Sequence, residues 1–269
     1  MGNFQLTANA SLKTIAFKIS DNHEMVNFYK NIVGFVLKSE ENGLSYFGTA
    51  KLKNQQLVLE ETEIKVKHPN VHFSVGLPSE EELKKAVKRF TDHDYPFEKK
   101  EKGIVFTDPE ENKVELFIRE NLLVTAEVEP ESVVPIKKAV DEDDLEVLPI
   151  DYSNKLTETC KVIQFCVNTW NKEESKIFYE KILGLEALGE NQFGLSNGNL
   201  VLFLCEQEVN GSVTDLGWSF ISINVKSSEE IEKLKKHLEK EEKVFFVDNK
   251  HTILSIFDTN GIEWWFTVK

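Results

Sequence analysis

The chain repeats itself, and this constrains the fold more than any other feature. MVNFYKNIVGFVLKSEE in the first half returns as SKIFYEKILGLEALGEN in the second. Phe28-Tyr29 recurs as Phe178-Tyr179, and Gly34 as Gly184, at one constant offset. Each segment follows an alternating apolar strand, LKTIAFKIS or KVIQFCVNT. Each leads through an amphipathic helix to a glycine, placed where a helix C-cap is expected. A second repeat is nested inside the first. VHFSVGL, PSEEELKKAVKRFTDHD and IVFTDPEENKVELFI are mirrored by FISINVK, SSEEIEKLKKHLEKE and ILSIFDTNGIEWWF. One strand–helix–strands unit therefore occurs four times. Self-similarity of this kind calls for an α+β layer architecture of antiparallel sheet with helices on one face.

Between the halves lies residues 121–155, with Pro130, Pro135 and Pro149 and the acidic run Asp141-Glu142-Asp143-Asp144. This composition reads as an exposed linker. The expected division is an N-terminal extension (1–11), a first domain (12–120), the linker (121–155) and a second domain (156–269).

Strand parity sorts the side chains. Successive residues of a strand face opposite sides. Ile15, Phe17 and Ile19 make an apolar face, leaving Thr14 and Ala16 opposite. Phe73, Val75 and Leu77 oppose His72, Ser74 and Gly76. Leu57 and Leu59 oppose Val58 and Glu60, and Val114, Leu116 and Ile118 oppose Glu115 and Phe117. In the second half Ile163, Phe165 and Val167 oppose Gln164, Cys166 and Asn168, and Trp265 shares a face with Glu263.

The FY…GF and FY…LGL segments and the DPEENKVELF ending together resemble the vicinal-oxygen-chelate superfamily of glyoxalase, bleomycin-resistance and dioxygenase type. The resemblance covers roughly 12–120 and 158–268. It implies two tandem domains, each pairing two βαβββ modules into a cupped antiparallel sheet. In that family, four positions around each cup accept a divalent metal. Carried over, they are Thr14, Glu60, His72 and Glu115 in the first half. Glu60, His72 and Glu115 are then the expected ligands for Zn, Ni, Mn or Fe, with Thr14 at the fourth position. One neutral imidazole and two carboxylates suit such ions and leave positions open for water or substrate. Glu115 or Glu60 would serve as acid or base. The absence of a second histidine favours a glyoxalase-type isomerase or lyase over a dioxygenase.

The matching positions in the second half are Gln164, Phe203, Phe220 and Glu263, with Cys205 or Glu206 replacing Phe203 if the strand shifts register. Two phenylalanines exclude a metal, and with Trp265 they imply an aromatic cup for an apolar or planar ligand.

GFVLKSEENG, the acidic DDLEVLP stretch and the tandem length resemble the CppA family of streptococci and relatives. Its members carry the label of a proteinase that degrades the third complement component. That label implies a host complement protein as partner. No HExxH occurs. His237 lies on a lysine-rich helix and His251 in a turn after Asp248 and Asn249, so neither marks a cysteine-protease pair.

Composition excludes further classes. A net charge of −14 and a pI near 5.0 leave no basic face for nucleic acid and none for an anionic membrane. No run approaches the ~18 apolar residues of a spanning helix. Three cysteines, Cys160, Cys166 and Cys205, all in the second half, argue against a disulfide framework and for a reducing compartment. The expectation is a cytoplasmic small-ligand-binding protein, a monomer with paired domains or a homodimer, with a metal-dependent isomerase or lyase and a proteinase as alternatives.

Overall fold

The computed structural model describes residues 4–7, 9–50, 55–63, 71–119, 155–195, 197–206 and 217–268. The expected linker at 121–155 falls outside these residues apart from Lys155. Four modules follow one another. The first comprises β1 (Ser11–Ile19), α1 (Asn22–Asn27), β2 (Val36–Glu41), β3 (Leu44–Gly48) and β4 (Leu57–Glu61). The second comprises β5 (His72–Leu77), α2 (Glu80–Asp92), β6 (Glu98–Lys100), β7 (Gly103–Thr107) and β8 (Lys113–Ile118). The third comprises β9 (Lys161–Thr169), α3 (Lys172–Ile177), β10 (Glu186–Gly189), β11 (Gln192–Gly194) and β12 (Val201–Glu206). The fourth comprises β13 (Trp218–Val225), α4 (Ser228–Lys240), β14 (Phe246–Val247), β15 (Ile253–Phe257) and β16 (Glu263–Val268).

Local chemistry explains the helices. Asp21 and Asn171 cap α1 and α3, their side chains accepting from the amides of Glu24 (2.9 Å) and Glu174 (3.1 Å). Both helices widen into π-turns, Phe28–Val33 and Phe178–Ile182. Gly34 ends the first at φ 96°, donating its N–H to Tyr29 O. A Cβ there would lie 2.7 Å from the Arg89 guanidinium carbon, so the position needs glycine for space as well as for φ.

The modules do not pair within halves. The first sheet runs β14-β15-β16-β13-β1-β4-β3-β2 and joins module four to module one. The second runs β10-β11-β12-β9-β5-β8-β7-β6 and joins module three to module two. Both are mixed and not antiparallel as expected, because β1–β4, β5–β8, β9–β12 and β13–β16 pair in parallel. The helix between the first and last strand of each module makes the crossover that a parallel pair requires.

The apolar parity of both sheets fills one core. Phe17 of the first sheet meets Phe73 of the second at 6.0 Å between ring centroids. Phe165 of the second meets Trp218 and Trp264 of the first at 5.5 and 6.0 Å. Two buried carboxylates tie the layers. Asp108 accepts from Tyr29 Oη at 2.8 Å, and Asp258 accepts from Tyr179 Oη at 2.5 Å and Trp264 Nε1 at 3.0 Å. Each tyrosine bond joins a helix of one sheet's module to a turn of the other's. The tyrosine of each FY pair and the aspartate of each closing turn are therefore structural partners. The N-terminal extension also packs: Leu6 N–H donates to Gly184 O, and Phe4 stacks on His237 at 4.8 Å.

Candidate functional site

The apolar residues of both sheets turn toward a shared core, so residues of opposite parity face outward on opposite sides of the molecule. Each sheet thus presents its own cup.

The first cup belongs to β1, β4, β13 and β16. Thr14 is buried, with its hydroxyl donating to Gln55 O at 3.0 Å. Glu60 is half-buried and accepts from the Ser219 hydroxyl. Phe220 stands in register with Glu263, and its ring lies 5.8 Å from that of Trp265. The Trp265 indole N–H is shielded from solvent but has no acceptor. The same face continues outward along the sheet. Phe257 is in register with Glu263, and Ser255 with both Trp265 and Phe246. Phe257 and Phe246 are 63% and 60% exposed at these positions. Sequence reading missed both. Their parity was visible, but their place on the same face as Trp265 depends on the order β14-β15-β16.

The second cup belongs to β5, β8, β9 and β12. Glu115 stands opposite Ser74, whose hydroxyl donates to Glu115 Oε2 at 3.0 Å, and Gln164 stands opposite Ser74 on the other side. One step along, His72 lies between Lys113 and Cys166, and Phe203 follows Cys166 in register. Burial, reinforced by the Lys113 ammonium, lowers the His72 pKa to about 4, so its ring is neutral at physiological pH. Cys166 and Cys205 form a disulfide. This corrects the expectation of unbridged cysteines. β9 and β12 lie side by side, which brings the two Cα atoms to 6.5 Å on one face, a spacing that sequence separation does not reveal. Cys160 is buried, and burial raises its thiol pKa to about 11.

The four positions expected to share one metal are divided: Thr14 and Glu60 line the first cup, His72 and Glu115 the second. The second-half set divides likewise, with Gln164 and Phe203 joining His72 and Glu115, and Phe220, Glu263 and Trp265 joining Thr14 and Glu60. The physical reason is the pairing of module one with module four and of module two with module three. A divalent metal held by Glu60, His72 and Glu115 does not fit this arrangement. Among the described residues no three His, Cys, Asp or Glu side chains are grouped so as to hold a metal ion. His237 is engaged by Lys181 O at 2.9 Å and His251 by Glu232 at 2.8 Å, so neither stands beside a cysteine. A recess of about 260 Å³ beside Asn22, Glu40 and Glu61 opens at the β2–β3 edge, away from both cups. Among the described residues no helix is long and apolar enough to cross a membrane.

Comparison with known proteins agrees with this architecture. Residues 158–266 match the CppA C-terminal family, and residues 11–116 match the Glyoxalase/Bleomycin resistance protein/Dioxygenase superfamily. No curated protein matches. Among solved structures, the cppA protein from Streptococcus pneumoniae TIGR4 is similar over 100% of both chains, with 14% identity and a TM-score of 0.62. Glyoxalase I from Zea mays is similar over 96% of this chain and 92% of its own, with 12% identity and a TM-score of 0.57. At such identities the likeness establishes the fold, and function must be argued from the site.

Proposed function

We propose that this chain, a CppA-like protein of the glyoxalase fold, binds a small planar organic ligand in its first cup, without a metal. The observation that carries this reading is the aromatic wall of that cup. Phe220 and Trp265 lie together at its floor, and Phe257 and Phe246 extend the same face while more than half exposed. Large apolar side chains left uncovered on one face cost hydration free energy, which a flat ligand recovers by covering them. Glu263 stands in register with Phe220, whereas Glu60 has Lys18 in register beside it, and an aromatic face attracts cations. A planar ligand carrying positive charge satisfies both.

The alternatives find less support. A glyoxalase-type isomerase or lyase would need the carboxylate–imidazole set that the module pairing divides. A cysteine proteinase would need a thiolate. Cys166 and Cys205 are joined, and the buried Cys160 thiol resists ionisation.

Calorimetric titration with N-methylquinolinium, neutral quinoline and quinoline-2-carboxylate tests the reading. The expected affinity order is cation, neutral, anion. Phe220→Ala and Trp265→Leu should weaken the first two together. Glu263→Gln should remove only the preference for the cation. Failure of every probe to bind below about 1 mM, or binding unchanged in the Phe220 and Trp265 variants, refutes the assignment.

A further inference from the structure

The second cup contains a redox-competent sulfur pair that the reading above does not use. The Cys166–Cys205 disulfide lies on the cup-facing side of β9 and β12 and not in the shared core. Its two ends differ. Cys166 is 4% exposed, and the Trp218 indole N–H, reaching over from the first sheet, donates to its carbonyl oxygen at 2.8 Å. Cys205 is half-buried and sits near the end of β12. On the far side of Cys166, His72 is its cross-strand partner, and Lys113 is the cross-strand partner of His72. Directly opposed residues on antiparallel strands have Cα atoms about 4.5–5.5 Å apart. The His72 imidazole therefore stands beside the buried Cys166, with Lys113 one strand further on beyond His72, while Cys205 is the more exposed of the two cysteines.

We propose that Cys166–Cys205 is a thiol-exchange site for low-molecular-weight thiols. The incoming thiolate attacks Cys205 Sγ, the sulfur it can reach. A bond forms between the two, the Cys166–Cys205 bond breaks, and its electron pair leaves on Cys166 Sγ. Lys113 stabilises the developing thiolate by its charge, and the neutral His72 ring donates a hydrogen bond to it. Cys166 then takes up the proton that the incoming thiol lost. The products are a mixed disulfide on Cys205 and a thiol on Cys166. A second thiol of the same kind attacks the small-molecule sulfur of the mixed disulfide. This releases the oxidised small disulfide and completes a two-electron reduction of the pair. Such exchange depends on which sulfur is accessible and on how well the leaving thiolate is stabilised, and this asymmetric arrangement supplies both.

The test uses the full chain, folded and air-oxidised, with reduced glutathione as the probe and iodoacetamide as the quench, followed by peptide mass mapping. The expected result is glutathione on Cys205, alkylation on Cys166, and an initial rate in the folded protein at least equal to that in urea-unfolded protein. Lys113→Met and His72→Leu should each slow the folded reaction about tenfold and leave the urea rate unchanged. Tryptophan fluorescence verifies that both variants are folded. Glutathione on Cys166, reaction only at the rate of global unfolding, equal slowing in urea, or no disulfide in the oxidised protein overturns the proposal.

Discussion

Lowering the pH from 7 to 4 protonates His72 in the unfolded chain before it does so in the folded protein, and this difference can be measured. The folded ring has its pKa lowered from 6.5 to about 4, by burial first and by Lys113 second. The charged form is therefore disfavoured by folding. The sign follows: between pH 6.5 and 4 the unfolded chain binds more protons than the native one, so stability falls as pH falls through this window. Above 6.5 the contribution is fully present, and below 4 it is fully lost. Each pKa unit corresponds to about 1.4 kcal/mol, giving an upper limit of about 3 kcal/mol, and solvent at the half-buried ring reduces this to about 2 kcal/mol. Asp108, which burial pushes up to about 6, acts in the opposite sense over an overlapping window. The useful quantity is therefore the difference between wild type and His72→Leu, in which Asp108 cancels. Urea unfolding at half-unit pH steps should show a difference that shrinks or reverses by about 2 kcal/mol between pH 6.5 and 4. An NMR titration should place one of the six imidazoles near 4, absent in His72→Leu. A His72 midpoint near 6.5, or a difference constant with pH, would refute the assigned environment and with it the neutral donor beside Cys166.

Other expectations follow from the same geometry. Tyr29→Phe and Tyr179→Phe each remove a hydrogen bond to a buried aspartate, and each should cost about 1.5–3 kcal/mol in denaturant unfolding. Gly34→Ala should lower stability by at least about 1 kcal/mol, since it combines φ 96° with a 2.7 Å approach to Arg89, and an unchanged melting temperature would contradict this. Glu60→Ala and His72→Ala lie in separate cups, so their stability changes should add to within about 0.5 kcal/mol in a double-mutant cycle. Strong coupling would mean that one site holds both. Dialysis against Zn, Ni or Mn should likewise leave no stoichiometric metal that both variants abolish, as elemental analysis would show.

Much of this was legible locally. Parity placed Thr14, Glu60, His72 and Glu115 opposite the apolar residues of their strands, because the two-residue period of a strand holds whichever strand lies next to it. The nested repeat indicated four like modules, and Gly34 marked the end of a helix, because both are short-range consequences of backbone geometry. Which cup each residue enters was not legible. Like modules offer like edges, so β1 is able to pair with β5 or with β13, and local sequence does not distinguish them.

The sequence by itself determined the modules, their caps and the face each side chain takes. The tertiary structure alone decided that module one pairs with module four and module two with module three. That choice separates His72 from Glu60 and puts Phe220 and Trp265 on the same face as Glu60, while the β9–β12 pairing brings Cys205 beside Cys166. The physical reason is range. Hydrogen bonding and alternation act between near neighbours in the chain, whereas the composition of a cup depends on strand pairs distant in sequence, such as Phe220 with Ala16, which close only when both sheets bury their apolar faces in one core.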